Sequence, residues 1–109
     1  MLVFEVTDGE VLASLTAQAQ RAGVTNGAIV SLIGAVDSFT VSTMPAGDAR
    51  SDNISSYALP AELHGSGEIR DGAVHVHATL AVQGDRAIAG HLHAGTAGTW
   101  FVRAYVQPL

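Results

Sequence analysis

The sequence contains no cysteine and no lysine, and it has little positive charge of any kind. Its five basic residues are all arginines, set against ten acidic residues, so the 109-residue chain has a formal net charge of −5. Without cysteine, the chain can form neither disulfide bonds nor thiolate metal sites. Without a basic cluster, it lacks the positive surface that binds the phosphates of nucleic acids. Nucleic acid is therefore not an expected partner.

Long apolar runs are also missing. No run reaches the length that spans a membrane, and the opening residues MLVFEVTDGE lack the pattern of a signal peptide. We therefore expect no membrane partner and a cytoplasmic location. Apolar residues make up 48% of the chain and charged residues only 14%, which suits a single folded domain over residues 1–109. Because so few charges leave much surface to be covered, a homo-oligomer is expected.

Histidine, in contrast, is concentrated in one stretch. Four of the five histidines form two His-x-His pairs, His75/His77 and His91/His93, each inside an alternating apolar run. Alternation with a period of two indicates a strand with one buried face. If residues 83–85 form a three-residue hairpin loop, the apolar residues of both strands share one face. His77 then lies opposite His91 and His75 opposite His93, so the four imidazoles form one patch on the other face.

A helix is predicted before this hairpin. Thr7 as N-cap and Glu10 three residues later form a capping box, which predicts a helix over about residues 8–22 that ends near Gly23. Gly34, inside an apolar run, indicates a bulge or a close approach of two backbones.

Apolar or alternating runs predict further strands, and the polar segment 45–53 is typical of a loop. The predicted strands cover residues 2–6, 28–36, 39–44, 54–59, 60–69 and 99–106, with 54–59 weak and 60–69 broken by glycines. One main helix packed on a largely antiparallel sheet of about seven strands predicts an α+β fold.

The histidine patch has the chemistry of a transition-metal site. Neutral imidazole binds zinc, nickel, copper or iron, and two histidines at positions i and i+2 of a strand project to the same side. The predicted ligands are His75, His77 and His91, which would leave one coordination position open. His93 is a candidate accessory ligand, and Glu62 a candidate ligand or an acceptor that orients a histidine ring.

A second interpretation stays open, in which these histidines are polar residues of a solvated or subunit-facing strand and bind no metal. His64 is best explained in this way, because it lies beside Gly65 on an uncertain strand. Thr79 and Asp85 lie nearer the turn and are weaker site candidates. We attribute the aromatic residues near the end of the chain to core or interface packing: Trp100, Phe101 and Tyr105.

Several segments, taken in order, resemble the plants-and-prokaryotes conserved domain, the PPC domain. They are the helix after residues 8–10, the run 31–36, Glu62, His75-Val76-His77 and Gly90-His91-Leu92, and together they span about residues 8–106. The resemblance implies a homotrimer with a fold similar to that of acetolactate decarboxylase, a zinc enzyme with a three-histidine site. It also implies a metal, zinc or another divalent transition metal, at the histidines that match this site.

The chain departs from the family pattern in several places. It has no AT-hook, so the DNA binding of the plant members is not implied. His93 replaces an aliphatic residue, Arg103 replaces a glutamate, and in the segment 59–62 only Glu62 matches the plant type. The expected function is a stand-alone homotrimer that binds a metal and a small molecule near a subunit interface. The alternatives are a DNA-associated regulatory domain and a metal-free interaction module, and whether the protein is an enzyme stays open.

Overall fold

A single antiparallel sheet organises the molecule. The computed structural model describes residues 1–109 and contains one helix and nine strands. In chain order the elements are β1 (Leu2–Val6), β2 (Gly9–Glu10), α1 (Val11–Arg21), β3 (Gly27–Val36), β4 (Ser38–Thr43), β5 (Asn53–Tyr57), β6 (Ala61–Arg70), β7 (Ala73–Val82), β8 (Arg86–Ala97) and β9 (Val102–Pro108). The order across the sheet is β1-β9-β3-β6-β7-β8-β4-β5, and the short β2 pairs with β8.

The α+β class and the antiparallel sheet are confirmed, but the predicted number of strands is wrong. The sheet has nine strands rather than seven. The weak run over residues 54–59 does form a strand, β5, at one edge of the sheet. In addition, β2 occupies residues that the capping pattern assigned to the helix. Eleven residues form the only helix, and no helix is long and apolar enough to cross a membrane.

One face of the sheet forms the core together with α1. The helix buries Val11, Leu15 and Ala19, which are spaced four residues apart and therefore share one stripe. This stripe packs toward β1, β7 and β8. The strands contribute their alternate apolar residues, and 23 buried hydrophobic residues form one cluster. The side chains of the opposite face, which include His75 and His77, are left outside the core.

The helix begins later than the capping box predicts. Its N-cap is Glu10 rather than Thr7, and the Glu10 carboxylate accepts hydrogen bonds from the backbone N–H groups of Leu12 (3.0 Å) and Ala13 (2.8 Å). The same carboxylate accepts a third bond from the N–H of Gly95 on β8, at 3.1 Å. Since β2 is held to β8 by strand pairing, residues 9–10 are extended and cannot join the helix.

Replacing Glu10 by alanine should lower the free energy of unfolding by about 1–2 kcal/mol, because it removes the cap and leaves the Gly95 N–H without its acceptor. Glu10→Gln should recover part of this loss, since its amide oxygen can still accept. Glu62→Ala is the matched control, because Glu62 is exposed on β6. Urea denaturation of the three variants measures the effect, and equal midpoints for the two alanine variants would contradict it.

The sequence suggested that glycines break β6, but this prediction is wrong. The glycines instead allow β6 and β7 to approach each other closely. The strand runs without interruption from Ala61 to Arg70. A Cβ atom at Gly65 would collide with the carbonyl oxygen of His77, and one at Gly67 with that of His75. These two positions therefore allow a close approach of β6 to the strand that carries two of the histidines.

Gly34 makes the close approach that the sequence predicts. Its φ is 154°, a value that side chains rarely tolerate, and a Cβ there would collide with the carbonyl oxygen of Phe101. This contact lies between β3 and the start of β9, on the opposite side of β6 from the histidine strand.

Candidate metal centre

The β7–β8 hairpin adopts the register that the hydrophobic pattern predicts. Val82 pairs with Arg86 across the three-residue loop 83–85, and His77 lies opposite His91. Asp85 is the last residue of the loop, and its φ of 58° lies in the left-handed region. Three-residue hairpin loops commonly end with a residue in this conformation. The prediction that His77 and His91 meet across the two strands is therefore confirmed.

The pairing predicted between His75 and His93 does not form. The ladder between β7 and β8 ends at the His77–His91 pair, beyond which β8 continues along β4. The β4–β8 register shifts there and leaves His93 as an unpaired extra residue, which is a β-bulge. On β8 the buried positions change from even numbers before the bulge to odd numbers after it. His93 is therefore displaced from its predicted place opposite His75, although its ring still lies beside that of His91.

Three of the four rings converge on one point. The ligand nitrogens of His75, His77 and His91 lie within 4.8 Å of one another. The ring centroids are 5.0 Å apart for His75 and His77, 4.8 Å for His75 and His91, and 5.8 Å for His77 and His91. Zinc bonds of about 2.0–2.1 Å require nitrogens about 3.3 Å apart in a tetrahedron. Modest side-chain rotation would bring the three rings to that spacing, so they could hold a metal ion.

Burial and the neighbouring histidines favour the neutral form of His91 by lowering its pKa. Burial lowers the pKa of His91 first, and the nearby His93, His75 and His77 lower it further, while Asp52 acts in the opposite direction. A metal competes with protons for the imidazole lone pair, so a lowered pKa leaves this ring free to coordinate at neutral pH. His75 and His77 are exposed, and they face solvent beside it.

Glu68 is a residue of this centre that the sequence analysis missed. It lies directly opposite His75 on β6, and its carboxylate oxygen is 3.9 Å from Nδ1 of that histidine. Both side chains are about half exposed, so the ion pair with a protonated His75 is weak. A carboxylate in this place can orient a ligating ring. The β6–β7 register would have revealed it, but that register could not be fixed from the sequence.

The other candidate residues lie farther away. Glu62 pairs with Ala81, four residues along β7 from His77, which corresponds to a separation of about 13 Å. The structure thus does not bring Glu62 to the three histidines. His64 lies on the same face of β6, and Asp85 lies in the hairpin loop at the far end of β7.

His93 contacts a buried serine instead of joining the three-histidine group. Its Nε2 lies 2.8 Å from Oγ of Ser42, which is only 4% exposed and sits directly opposite His91 on β4. The His93 ring also meets the ring of His91 edge-on, with centroids 4.6 Å apart. His93 therefore satisfies a buried hydroxyl and limits the rotation of His91.

Replacing His93 by alanine should lower the affinity for zinc by about tenfold, in the range found for residues that support metal ligands. The loss should arise because the ring of His91 becomes free to rotate. His93→Phe should restore most of the affinity, since it keeps the ring edge against His91 although it loses the Ser42 hydrogen bond. A competition titration with a zinc-sensitive dye measures the affinity of each variant. If the alanine variant binds zinc as tightly as the unchanged protein, His93 does not position His91.

A cleft of about 870 Å³ adjoins the histidines on the same face of the sheet. His77 and His91 contribute to its lining, together with His64 and Thr79. The loop between β4 and β5 adds Asp52, which the sequence analysis had treated only as part of a polar loop. The cleft has the size of an ordinary small-molecule site and lies beside the candidate metal ligands.

The chain matches the family model described as "Plants and Prokaryotes Conserved (PCC) domain" over residues 1–106. No curated protein matches it. This match covers almost the whole sheet and all of the residues that form the histidine centre.

Several solved structures share the fold. A metal-containing protein from Archaeoglobus fulgidus is 22% identical, with a TM-score of 0.82 over 99% of this chain and 78% of that one. A PPC protein from Pyrococcus horikoshii is 17% identical, with a TM-score of 0.72 over 99% and 79% of the two chains. A protein from Ralstonia eutropha JMP134, named only as a candidate for DNA binding, is 20% identical, with a TM-score of 0.82 over 98% and 76%. At these identities the likeness shows the fold alone.

Proposed function

The chain belongs to the Plants and Prokaryotes Conserved domain family, and on this basis we propose that it binds zinc or another divalent transition metal through His75, His77 and His91. The observation that carries the proposal is the convergence of three imidazole nitrogens within 4.8 Å, from two different strands. A relative in fold, from Archaeoglobus fulgidus, is named as metal-containing, which supports the same assignment.

Three neutral imidazoles suit a metal that keeps one position open for water or a ligand. When bound, such a metal would act as a Lewis acid on an oxygen atom in the neighbouring cleft. The chain itself supplies a neutral His91, whose pKa is lowered chiefly by burial, and the exposed rings of His75 and His77. Since the three-histidine group contains no carboxylate, all three protein ligands would be neutral. The cleft beside them supports the proposal that the protein binds a small molecule at this centre.

Self-association as a homotrimer is the second part of the proposal. Large apolar side chains remain exposed, among them Val30 (55%), Ile33 (50%) and Trp100 (64%). Trp100 thus lies outside the core, and we propose that it packs at the subunit interface. Val30 also lines the cleft, so a partner subunit that covered this surface would lie near the candidate metal centre. The likeness to acetolactate decarboxylase and the cytoplasmic location remain predictions.

Purified protein should contain about one zinc-class ion per subunit after dialysis against a weak chelator. Elemental analysis measures the ion, and light scattering of the same sample measures the mass, for which we expect three times 11.2 kDa. Protein without any metal would contradict the metal site, whereas a metal-loaded monomer would contradict only the trimer. If a strong chelator changes neither the oligomer nor the binding of small molecules, a metal-free interaction module is the better description.

DNA association is the alternative that one comparison favours, because the relative from Ralstonia eutropha is named as a candidate DNA-binding protein. The net charge of −5 and the absence of lysine oppose it, since DNA binding depends on cations that replace the counterions of phosphates. A gel shift over a salt series tests this alternative. We expect no retardation near physiological salt, and a steeply salt-dependent complex would establish it.

A further inference from the structure

The charge of the cleft lining restricts which ligands the cleft can bind. Apart from the histidines, Asp52 is the one lining residue with an ionisable side chain, and no arginine lines the cleft. The remaining polar lining consists of hydroxyl groups, from Ser31, Ser42, Thr43, Ser66 and Thr79. Sites for phosphates or carboxylates ordinarily present arginine or lysine. The cleft therefore has a metal-ligating end, a carboxylate, and hydroxyl groups around them.

The carboxylate of Asp52 has its hydrogen-bonding capacity free. Asp48, in the same loop, accepts bonds from the Ser51 hydroxyl (2.7 Å) and the Arg50 backbone N–H (3.0 Å), and these two bonds lower its pKa. Asp52 makes no such bond and joins neither of the two ion pairs of the molecule. It lines the same cleft as His77 and His91. Asp52 is thus a free anion at the rim of a cleft that contains His91.

We propose that the cleft binds a small amino alcohol, with its protonated amine paired to Asp52 and its hydroxyl oxygen directed to the metal beside His77 and His91. The metal half of this inference rests on the proposed function, whereas the amine half rests on Asp52 alone. A carboxylate without a basic neighbour attracts a cation and repels an anion. The lining hydroxyls can hydrogen-bond either end of such a molecule.

Three probes of similar size distinguish the contribution of the amine from that of the hydroxyl group. Ethane-1,2-diol offers the hydroxyl groups without charge, 2-aminoethanol adds the cation, and glycolate places an anion at the same position. Each is titrated at neutral pH into protein loaded with Co²⁺, whose visible absorption bands report a change of ligands at the metal. We expect 2-aminoethanol to bind more tightly than ethane-1,2-diol. Glycolate can coordinate the dication through its own carboxylate, so it is compared only between variants, and Asp52→Asn should strengthen its binding. Asp52→Asn should lower the affinity for 2-aminoethanol by about fivefold at low salt and leave the affinity for ethane-1,2-diol unchanged.

Asp85→Asn is the matched control, since it removes the same charge from a residue that does not line the cleft. Asparagine also tolerates the φ of 58° at this position, so the hairpin loop should persist. This variant should bind all three probes as the unchanged protein does. An equal loss in both variants would mean that net charge, and not Asp52, attracts the amine, and this would overturn the inference.

Two further outcomes would also overturn it: tighter binding of ethane-1,2-diol than of 2-aminoethanol, or an affinity for 2-aminoethanol that Asp52→Asn leaves unchanged. Failure of the protein to bind Co²⁺ at all would refute the proposed function instead. In that case the amine half is tested by NMR on metal-free protein, by following the backbone amides of residues 43, 52 and 66 during addition of 2-aminoethanol. Shifts that Asp52→Asn abolishes would support the assignment of the amine to Asp52, and the absence of shifts would overturn it.

Discussion

Replacing His77 by alanine is expected to reduce the affinity for zinc by more than about 100-fold, since residues that only support ligands already contribute about 10- to 100-fold. His77 lies two residues from His75 on its own strand and directly opposite His91 on β8. Its removal would leave two imidazoles, whose rings are 4.8 Å apart, and a second open position at the metal. Competition titration with a chromophoric chelator measures the loss.

The control for this experiment is His64→Ala. His64 lies on the same face of the sheet and lines the same cleft, but it is not one of the three converging ligands. We expect its replacement to change the zinc affinity by less than about twofold, a difference that corresponds to only about 0.4 kcal/mol. A greater loss for His64→Ala than for His77→Ala would show that the metal, if bound, lies farther into the cleft. Circular dichroism and the denaturation midpoint of each variant show whether the fold is intact.

The meeting of His77 and His91 could be predicted because two independent constraints agree. The even-numbered apolar residues of β7 and β8 must face one core, and only an odd loop length lets both sets do so. A register shift of one residue would have exposed the apolar residues of one strand. The burial of Val76, Leu80 and Leu92 therefore determines which face the histidines occupy, whatever the histidines themselves do. Register is predictable wherever one face of a hairpin is buried in this way.

The positions of His93 and Glu10 could not be predicted, because each depends on a partner distant in sequence. His93 loses its predicted place opposite His75 at a bulge, and that bulge arises from pairing with β4, 51 residues earlier at Ser42. Glu10 caps the helix while bonding to Gly95, 85 residues later. A local pattern favours Thr7 as the cap, but strand pairing of residues 9–10 with β8 overrides it.

Asp52 illustrates a different limit. Its loop looks like any polar, turn-rich segment, and such loops ordinarily connect strands at the surface. Only the tertiary structure shows that the loop closes one side of a cleft that the histidines also line. Glu68 is similar, since its place opposite His75 follows from the β6–β7 register, which two glycines in β6 made hard to infer. Those glycines appeared to interrupt the strand, whereas in the structure they bring it close to its neighbour.

Replacing Gly67 by alanine is therefore expected to lower the free energy of unfolding by about 3 kcal/mol. The added Cβ would collide with the carbonyl oxygen of His75, a backbone atom that cannot rotate away. Either β6 or β7 must move, and the cost of such overpacking is about 1–3 kcal/mol, or more where the backbone must shift. Gly47→Ala is the control, because nothing lies within 4 Å of its added Cβ, and it should leave the stability unchanged or raise it slightly.

The same substitution should also disturb the metal centre, because Gly67 pairs with Val76, which lies between His75 and His77. The β7–β8 ladder ends at His77, so β8 does not hold the part of β7 that carries His75. A movement of β7 would therefore change the distance between His75 and His91. Urea denaturation of Gly67→Ala with and without saturating zinc separates the two effects. If the variant is destabilised but zinc stabilises it as much as the unchanged protein, the histidines depend on β8 alone and β6 does not position them.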